Sequence, residues 1–241
     1  MKIAIIGYGK MGKEIEAIAM ERGHTVSNVF SSSQPFTIKS SLDADIAIEF
    51  SAPNLATTHI QLCLDRNVPV VVGTTGWSDE LDHIKQKVEK NKGSLLYASN
   101  FSIGVHLFWE LSKHFSKIMS EHTSYKPSIT ETHHTEKLDA PSGTAITTAE
   151  FMLKNQKEFK SWALSDDEKH EDQVLPIIAK RLPEVPGTHE ITYKSDIDHI
   201  SLTHEAKNRK GFALGAVIAA EWLIDKKGTF TMSDIINFKS L

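Results

Sequence analysis

Residues 3–12 read Ile3-Ala4-Ile5-Ile6-Gly7-Tyr8-Gly9-Lys10-Met11-Gly12, an apolar run that passes directly into a glycine-rich turn. Such a run is typical of a strand buried on both faces of a parallel sheet. In a G-x-G-x-x-G turn the first glycine permits the tight bend, the second lets the backbone approach a pyrophosphate, and the third permits close helix–strand packing. The helix predicted at Met11–Arg22 would direct free N–H groups and the positive end of its dipole toward a phosphate. We therefore predict a dinucleotide-binding turn; the alternative is a tight turn without a ligand.

The alternation of strand and helix continues through the first hundred residues. Apolar runs predict further strands, and Pro53 and the stretch Asp79–Lys90 mark helices between them; the strands are expected at Thr25–Phe30, Asp45–Phe50, Val68–Val72 and Ser94–Ala98. Repeated units of this kind predict an α/β fold with a Rossmann-type, doubly wound parallel sheet. Because ligands bind beyond the carboxyl ends of such strands, residues 73–76 and 98–102 join the glycine turn as candidate cofactor loops.

The pattern changes after about residue 102. An amphipathic helix is predicted at Ile103–Met119, another helix at Ala145–Leu153, and the polar stretch 161–173 is predicted to be a loop. Alternating strands are expected at Ser128–His133, Thr188–Lys194 and His199–His204. We therefore predict a dinucleotide-binding domain (1–102), a second α+β domain with a mostly antiparallel sheet (103–210), and a helical segment (211–241) that returns to the first domain.

Composition excludes several classes of function. The 241 residues have a net charge of −4 and no basic runs, so we expect no nucleic-acid partner. The longest apolar run, Phe212–Ala220, is much shorter than the roughly 18 residues of a membrane span, and no signal peptide is recognisable at the start. The single cysteine, Cys63, excludes an internal disulfide. A cytoplasmic protein without membrane association is expected.

The acidic residue that usually binds the adenosine ribose, about 20 residues after the glycine turn, is missing. The second strand ends instead in Phe30-Ser31-Ser32-Ser33. An acidic side chain there would repel a 2′-phosphate, whereas Ser31 would donate a hydrogen bond to it. Both NADPH and NADH therefore remain candidate cofactors, and the alternative is a serine turn without a role.

A second motif lies in residues 131–145. His133 and His134 titrate near neutral pH, and Lys137 adds a cation. Pro141 and Ser142 precede a predicted helix, with Ser142 as its N-cap, so the N–H groups of Gly143 and Thr144 would face an anion. These groups predict a site for a small dicarboxylate substrate with acid–base chemistry. Zinc and a solvated polar loop are the alternatives; adjacent histidines on an extended segment point to opposite faces, so no metal is predicted.

With these motifs the sequence resembles the dihydrodipicolinate reductase (4-hydroxy-tetrahydrodipicolinate reductase) family of the diaminopimelate route to lysine. The resemblance extends over the chain, and its most specific part is the string His-His-x-x-Lys-x-Asp-x-Pro-Ser-Gly-Thr; it rests on residues 7–12, 73–76, 98–105, 131–145 and 201–204 with Arg209. Three features depart from the family: the glycine turn is one residue shorter than its commoner form, His106 replaces an asparagine, and Ser31 replaces an acidic residue.

The resemblance implies roles for individual residues. His133 is similar to the family's general acid/base, Lys137 to its second proton donor, and His134, Gly143 and Thr144 to residues that hold the substrate carboxylates. The implied cofactor-binding residues are Gly7, Tyr8, Gly9, Lys10, Met11, Gly12, Gly73, Thr74, Thr75, Ala98, Ser99, Asn100 and Phe101, and Ser31 is added from the argument above.

The resemblance further implies an oxidoreductase in which NADH or NADPH delivers hydride to C4 of the substrate after its 4-hydroxyl leaves as water. It also implies a homotetramer built through the sheet of the second domain. The alternatives are another Rossmann-fold amino-acid dehydrogenase, which would have no reason to contain residues 131–145, and a non-catalytic NAD(P)-binding regulatory protein, which would be expected to lack His133 or Lys137.

Overall fold

The computed structural model describes residues 1–167 and 173–236. In chain order the strands are β1 (Lys2–Ile6), β2 (Thr25–Phe30), β3 (Ile46–Glu49), β4 (Val70–Val72), β5 (Ser94–Tyr97), β6 (Lys126–His133), β7 (Ser161–Leu164), β8 (Val174–Arg181), β9 (Gly187–Lys194), β10 (His199–Ala206) and β11 (Gly228–Phe230). The helices are α1 (Lys10–Glu21), α2 (Pro53–Leu64), α3 (Leu81–Asn91), α4 (Ile103–Met119), α5 (Gly143–Leu153), α6 (Lys210–Leu223) and α7 (Met232–Ile235).

The chain divides into two compact units. The first unit contains Met1–Ile103 and the chain from Arg209 onward, and the second contains Gly104–Asn208. In the described part of the chain, no helix combines the length and the apolar character that a membrane span requires.

The first unit is a six-stranded sheet in the order β11-β5-β4-β3-β1-β2, and every neighbouring pair is parallel. Alternate residues of each strand point to opposite faces, so each face has its own core. Ile3 and Ile5 pack with α1 and α6, whereas Ala4 and Ile6 pack with α2 and α3. The predicted doubly wound parallel sheet is confirmed, and its sixth strand, β11, was not predicted.

The second unit contains a five-stranded sheet in the order β10-β9-β6-β8-β7. β9 pairs antiparallel with β10 and β6, whereas β8 pairs parallel with β6 and β7. The fold class is confirmed, but this sheet is mixed rather than mostly antiparallel, because two parallel strands extend it beyond β6. Side chains of α4, α5 and the sheet form the core of this unit.

The prediction of a loop at 161–173 was wrong for its first part. Ser161–Leu164 forms β7 and pairs with β8 (Val174–Arg181). Neither strand was predicted. Residues 165–167 and 173 lie outside any strand or helix, as the loop prediction expects, and residues 168–172 lie outside the described residues. The N-cap prediction is confirmed, because the Ser142 hydroxyl accepts the N–H of Ala145 at 3.2 Å.

Candidate active site

The glycine turn between β1 and α1 has the geometry that its sequence predicts. Gly7 has φ of +99°, and a Cβ there would lie 2.1 Å from the carbonyl oxygen of Phe50. A Cβ on Gly12 would lie 2.2 Å from the carbonyl oxygen of Gly7, so both positions require glycine. A Cβ on Gly9 would meet nothing within 4 Å. The backbone of Gly9 therefore faces open space at the N-terminus of α1, where no side chain caps the helix; this cradle fits a pyrophosphate.

The side chains of the turn lie in three different environments. The Tyr8 hydroxyl donates a hydrogen bond to the carboxylate of Glu16, and Lys10 is exposed. Met11 packs against the core beneath the turn. Their backbone, rather than these side chains, forms the cradle.

A cavity of about 540 Å³ adjoins the glycine turn. Its wall includes Gly7, Tyr8 and Gly9 together with Ser31 and Ser32. The Ser31 hydroxyl lies 2.9 Å from that of Ser33 and accepts the N–H of Gln34 at 3.3 Å, so it belongs to an ordered turn. The structure thus places Ser31 and the glycine turn around one cavity, the arrangement that reading of a ribose requires.

Sequence reasoning missed His59, which also lines this cavity. Its Nδ1 lies 3.2 Å from the Oε1 of Glu49, a carboxylate that is buried at the end of β3. The same oxygen accepts the N–H of Ser51 at 3.2 Å. No sequence signal marks this pair, because His59 lies in α2 without any recognisable motif.

The loops after β4 and β5 lie at the same edge of the parallel sheet as the glycine turn. A Cβ on Gly73 would lie 2.1 Å from the Phe50 ring. The Thr74 hydroxyl accepts the N–H of Ser51 at 2.8 Å, and its carbonyl accepts the indole N–H of Trp77 at 2.7 Å. Thr75 is exposed. The loop is therefore fixed at Thr74 and presents Thr75 to solvent.

The second loop is anchored at both ends. The N–H of Ala98 donates to Val72 at 3.1 Å, and the Asn100 side-chain oxygen accepts the N–H of Ser102 at 2.8 Å. Phe101 is buried, and a Cβ on Gly215 of α6 would lie 1.7 Å from its carbonyl oxygen. Ser99 is exposed between these anchors.

In the second unit, strand register brings together ionisable side chains from four strands. His133 ends β6 and lies opposite Arg181 of β8. Glu131, two residues earlier, lies opposite His189 of β9, which in turn lies opposite His204 of β10. Directly paired residues, and residues two apart on one strand, share a face of a sheet. One face therefore presents all five side chains.

Burial controls the charge of the imidazoles on this face. His133 is 8% exposed and His189 is 5% exposed. Burial lowers the pKa of His133; the charge of Glu131 opposes this effect, and Lys137 and Arg181 add to it. Burial lowers the pKa of His189 to about 3 and lowers the pKa of His204 as well. Burial therefore favours the neutral form of His133, which suits a group that accepts a proton and returns it.

The loop after β6 holds the other predicted residues. The ammonium of Lys137 contacts both carboxylate oxygens of Asp139, at 2.8 and 2.7 Å, and this bond lowers the pKa of Asp139. The carbonyl of His134 accepts the N–H of Lys137 at 3.1 Å, and the Nδ1 of His134 is buried without a hydrogen-bond partner among the described residues. The loop thus presents Lys137 as an ion pair with Asp139.

The N-terminus of α5 is fixed to the sheet at one point. The N–H of Ser142 donates to both oxygens of Glu131, at 3.1 and 3.0 Å. Gly143 follows as the first residue of α5, and a Cβ there would meet nothing within 4 Å. The carbonyl of Thr144 accepts the hydroxyl of Thr148 at 2.8 Å. The first turn of α5 therefore begins in open space, beside a buried carboxylate that also lies close to His133.

Sequence reasoning included Glu131 in the motif 131–145 without giving it a role, and it missed Arg181, Gly187 and His189. A Cβ on Gly187 would lie 3.1 Å from the Nε2 of His133, so glycine leaves room for that ring. Among the described residues, Glu131, His133 and His189 each offer a metal-ligand atom, all within 4.8 Å of one another. Arg181 and Ser142 already bond Glu131, which argues against a metal at this cluster. The absence of a metal remains a prediction.

Comparisons with known proteins give one answer for both units. Residues 1–101 match the family model "Dihydrodipicolinate reductase, N-terminus", and residues 104–236 match "Dihydrodipicolinate reductase, C-terminus". The 4-hydroxy-tetrahydrodipicolinate reductase of Christiangramia forsetii is 45% identical over 98% of this chain and 98% of its own length. The enzyme of the same name from Archaeoglobus fulgidus is 34% identical over 82% of this chain and 77% of its own.

Solved structures agree. The dipicolinate-bound dihydrodipicolinate reductase from Paenisporosarcina sp. TG-14 superposes with a TM-score of 0.74 at 25% identity, covering 98% of this chain and 99% of its own. A putative myo-inositol dehydrogenase from Sinorhizobium meliloti reaches a TM-score of 0.55 at 10% identity, covering 100% of this chain and 91% of its own, and shows likeness of fold alone.

Proposed function

The chain belongs to the dihydrodipicolinate reductase family, an NAD(P)H-dependent oxidoreductase family, and we propose that it reduces 4-hydroxy-tetrahydrodipicolinate to tetrahydrodipicolinate in lysine and diaminopimelate biosynthesis. The observation that supports this best lies in the second unit. Glu131 accepts the N–H of Ser142 and lies two residues before His133, so a proton-transfer group and a helix N-terminus adjoin one buried carboxylate.

The substrate is a dianion, and the second unit supplies groups for its two carboxylates. Gly143 and Thr144 begin the first turn of α5, where N–H groups and the helix dipole favour negative charge. His134 and Lys137 precede this turn in the sequence and add polar and cationic partners. For Lys137 to reach the substrate, its ammonium exchanges the carboxylate of Asp139 for that of the substrate. Before substrate binds, Asp139 supplies the carboxylate that pairs with Lys137.

His133 is the proposed general acid/base. Loss of a hydroxyl as water and addition of a hydride to carbon both require proton transfer, and a neutral imidazole both accepts and returns a proton. The burial that lowers the pKa of His133 also excludes water from the ring. Lys137 is the proposed second proton donor.

The first unit is the proposed dinucleotide-binding domain. NADH or NADPH, when bound, supplies the hydride. The turn Gly7–Gly12 would hold the pyrophosphate, Ser31 would lie at the ribose, and residues 73–75 and 98–101 would border the nicotinamide end. With no carboxylate at position 31 to repel a 2′-phosphate, we expect NADPH to be used at least as well as NADH.

The second unit is the proposed substrate-binding and oligomerisation domain. We propose a homotetramer assembled through its sheet and a cytoplasmic location, as the family resemblance implies. Light scattering of the purified protein would test the assembly, and a monomer would overturn it.

The test of the reaction is a coupled assay. Substrate made freshly by the preceding aldolase is mixed with the protein, and the oxidation of NADH and of NADPH is followed separately. The expected result is turnover that depends on the aldolase product. Nucleotide binding without turnover would favour the regulatory alternative, and turnover of an amino acid instead would favour another dehydrogenase.

A further inference from the structure

Glu131 is a fully buried carboxylate, and its hydrogen-bond partners among the described residues lie at the proposed substrate site. Its two oxygens accept the N–H of Ser142 at 3.1 and 3.0 Å, and Oε1 also accepts the Nη2 of Arg181 at 3.2 Å. A carboxylate held away from water requires such partners. The groups that compensate its charge are therefore the ones that fix the start of α5 to β6.

Arg181 also bonds the loop that joins β6 to α5. It ends β8, opposite His133. Its Nε donates to the carbonyl of Lys137 at 3.3 Å, and its Nη2 donates to the carbonyl of Asp139 at 2.7 Å. The planar guanidinium bonds both carbonyls and Glu131 at the same time. A lysine ammonium lacks the fixed fork of donors that this arrangement uses.

We propose that Arg181 and Glu131 are positioning residues for the reduction: their ion pair holds the loop 137–142 and the first turn of α5 in place relative to His133. This inference rests on the proposed function, because it assigns the pair to the same substrate site. Neither residue needs to touch the substrate. Arg181 positions Lys137 through its backbone, and Glu131 positions the first turn of α5 through the N–H of Ser142.

Burial is the main cause of the lowered pKa of His133, and the two members of the pair shift that pKa in opposite directions. In the described part of the chain, the charged or titratable groups that face this imidazole are Glu131 on its own strand, Arg181 on β8, His189 on β9, and Lys137 and Asp139 in the loop. Glu131 and Asp139 raise the pKa of His133, whereas Arg181 and Lys137 lower it. Removal of the two partners should therefore move the pKa of His133 in opposite directions. These opposite shifts test whether both charges act on the imidazole, whereas ligand binding tests whether the pair holds the loop.

The experiment compares Glu131→Gln, Arg181→Gln and Arg181→Lys with wild type. The His133 pKa is measured by NMR titration of protein with labelled histidine, in which the His133→Gln variant identifies the resonance among the 12 histidines. We expect a lower pKa in Glu131→Gln and a higher one in Arg181→Gln. The acid limb of kcat/KM, where protonation of His133 removes its capacity to accept a proton, should move in the same directions.

Binding of pyridine-2,6-dicarboxylate, measured by calorimetry, separates geometry from charge. We expect both glutamine variants to bind it at least about tenfold more weakly than wild type, because the loop and the α5 turn are no longer held. Arg181→Lys should keep the pKa of His133 near its wild-type value and still bind the dicarboxylate weakly, since the charge remains and the fork geometry is lost. NADPH affinity should stay unchanged in all three variants.

The control is Lys126→Gln, which removes another cation of the second unit at the opposite end of β6, where Lys126 pairs with Glu158 at 3.1 Å. It should change neither the pKa nor dicarboxylate binding. Shifts of the His133 pKa in one common direction, or wild-type dicarboxylate binding by Arg181→Lys, would overturn the proposal. If Arg181→Gln fails to fold, Glu131→Gln and Arg181→Lys still decide it. A wild-type protein without turnover would reject the proposed function instead, because the titration and the calorimetry need no activity.

Discussion

Of the two proposed binding regions of this chain, one is formed by backbone and the other by side chains. The glycine turn of the first unit is a backbone structure: Gly7 and Gly12 are required by carbonyl oxygens within 2.2 Å of where a Cβ would lie. The site of the second unit is a side-chain structure, in which His133, Glu131 and Arg181 come from two strands and depend on one another's charges. A backbone site is damaged by added atoms, whereas a side-chain site is damaged by removed ones. Four predictions test this difference.

The largest effect is expected from an added methyl group in the backbone site. Gly7→Ala would place a Cβ 2.1 Å from the carbonyl oxygen of Phe50, at a φ of +99°. We expect this variant to lose roughly 3 kcal/mol or more of unfolding free energy.

Gly9→Ala is the matched control, because its Cβ meets nothing within 4 Å and its φ of −84° suits alanine. Its stability should stay within about 0.5 kcal/mol of wild type, while its NADPH affinity falls about tenfold because the methyl group occupies the space for the pyrophosphate. Urea denaturation and calorimetry measure the two quantities. Equal stability of the two variants would contradict the backbone account.

The next effect concerns a removed side chain. His133→Gln keeps a polar group of similar size but does not exchange protons near neutral pH, so kcat should fall about 10²–10⁴-fold. KM should change little, because the ring acts mainly in the transition state. Steady-state kinetics with aldolase-generated substrate measure both, and the urea midpoint serves as the control for folding. Near-normal turnover would reject His133 as the acid/base.

These two regions also differ in how much of them the sequence predicts. The strands of the first unit are continuous apolar runs, and β1 to β5 were each predicted within a few residues of their bounds. The glycine turn is contiguous, so its backbone geometry follows from one motif. The strand β11 was missed because three residues near the end of the chain, Gly228–Phe230, have no local pattern that places them beside β5.

In the second unit, the contiguous string 131–145 was recognisable, but its partners were not. Arg181 and His189 lie about fifty residues later in the chain, and only strand register brings them beside His133 and Glu131. The strand that holds Arg181 was itself missed, because Pro176 within an apolar run argues against a sheet strand. That strand also makes the sheet mixed, since it pairs parallel with β6. The residues of a contiguous loop can be read from the sequence, whereas the residues that face the loop depend on how the strands pair.

The third prediction uses acid to remove the neutral form of a buried imidazole. His189 has a folded-state pKa of about 3 against an ordinary value of 6.5. Below the ordinary value the unfolded chain binds a proton that the folded chain does not, so stability falls as the pH falls from 6.5 toward 3. We expect this one residue to contribute a slope of about 1.4 kcal/mol per pH unit.

The slope is measured by urea denaturation between about pH 7 and about pH 5, in wild type and in His189→Gln. The variant should lose that part of the slope, whatever its absolute stability. His204 and His133 remain in the variant and keep a smaller dependence of the same sign, because burial lowers their pKa values too. An unchanged slope would mean that His189 is protonated in the folded protein.

The smallest effect is expected at the start of α5, where backbone N–H groups and one hydroxyl are the proposed ligands of a carboxylate. That hydroxyl belongs to Thr144. Thr144→Val keeps the shape and the N–H and removes only the hydroxyl, so binding of pyridine-2,6-dicarboxylate should weaken by about 1 kcal/mol, the net value of one hydrogen bond. Thr147→Val is the matched control, because it makes the same exchange beyond the first turn of α5 and should leave binding unchanged. Calorimetry at equal protein stability measures the difference. If Thr144→Val bound as tightly as its control, the hydroxyl would be excluded as a ligand, and the turn would act through its backbone alone, as the glycine turn of the first unit does.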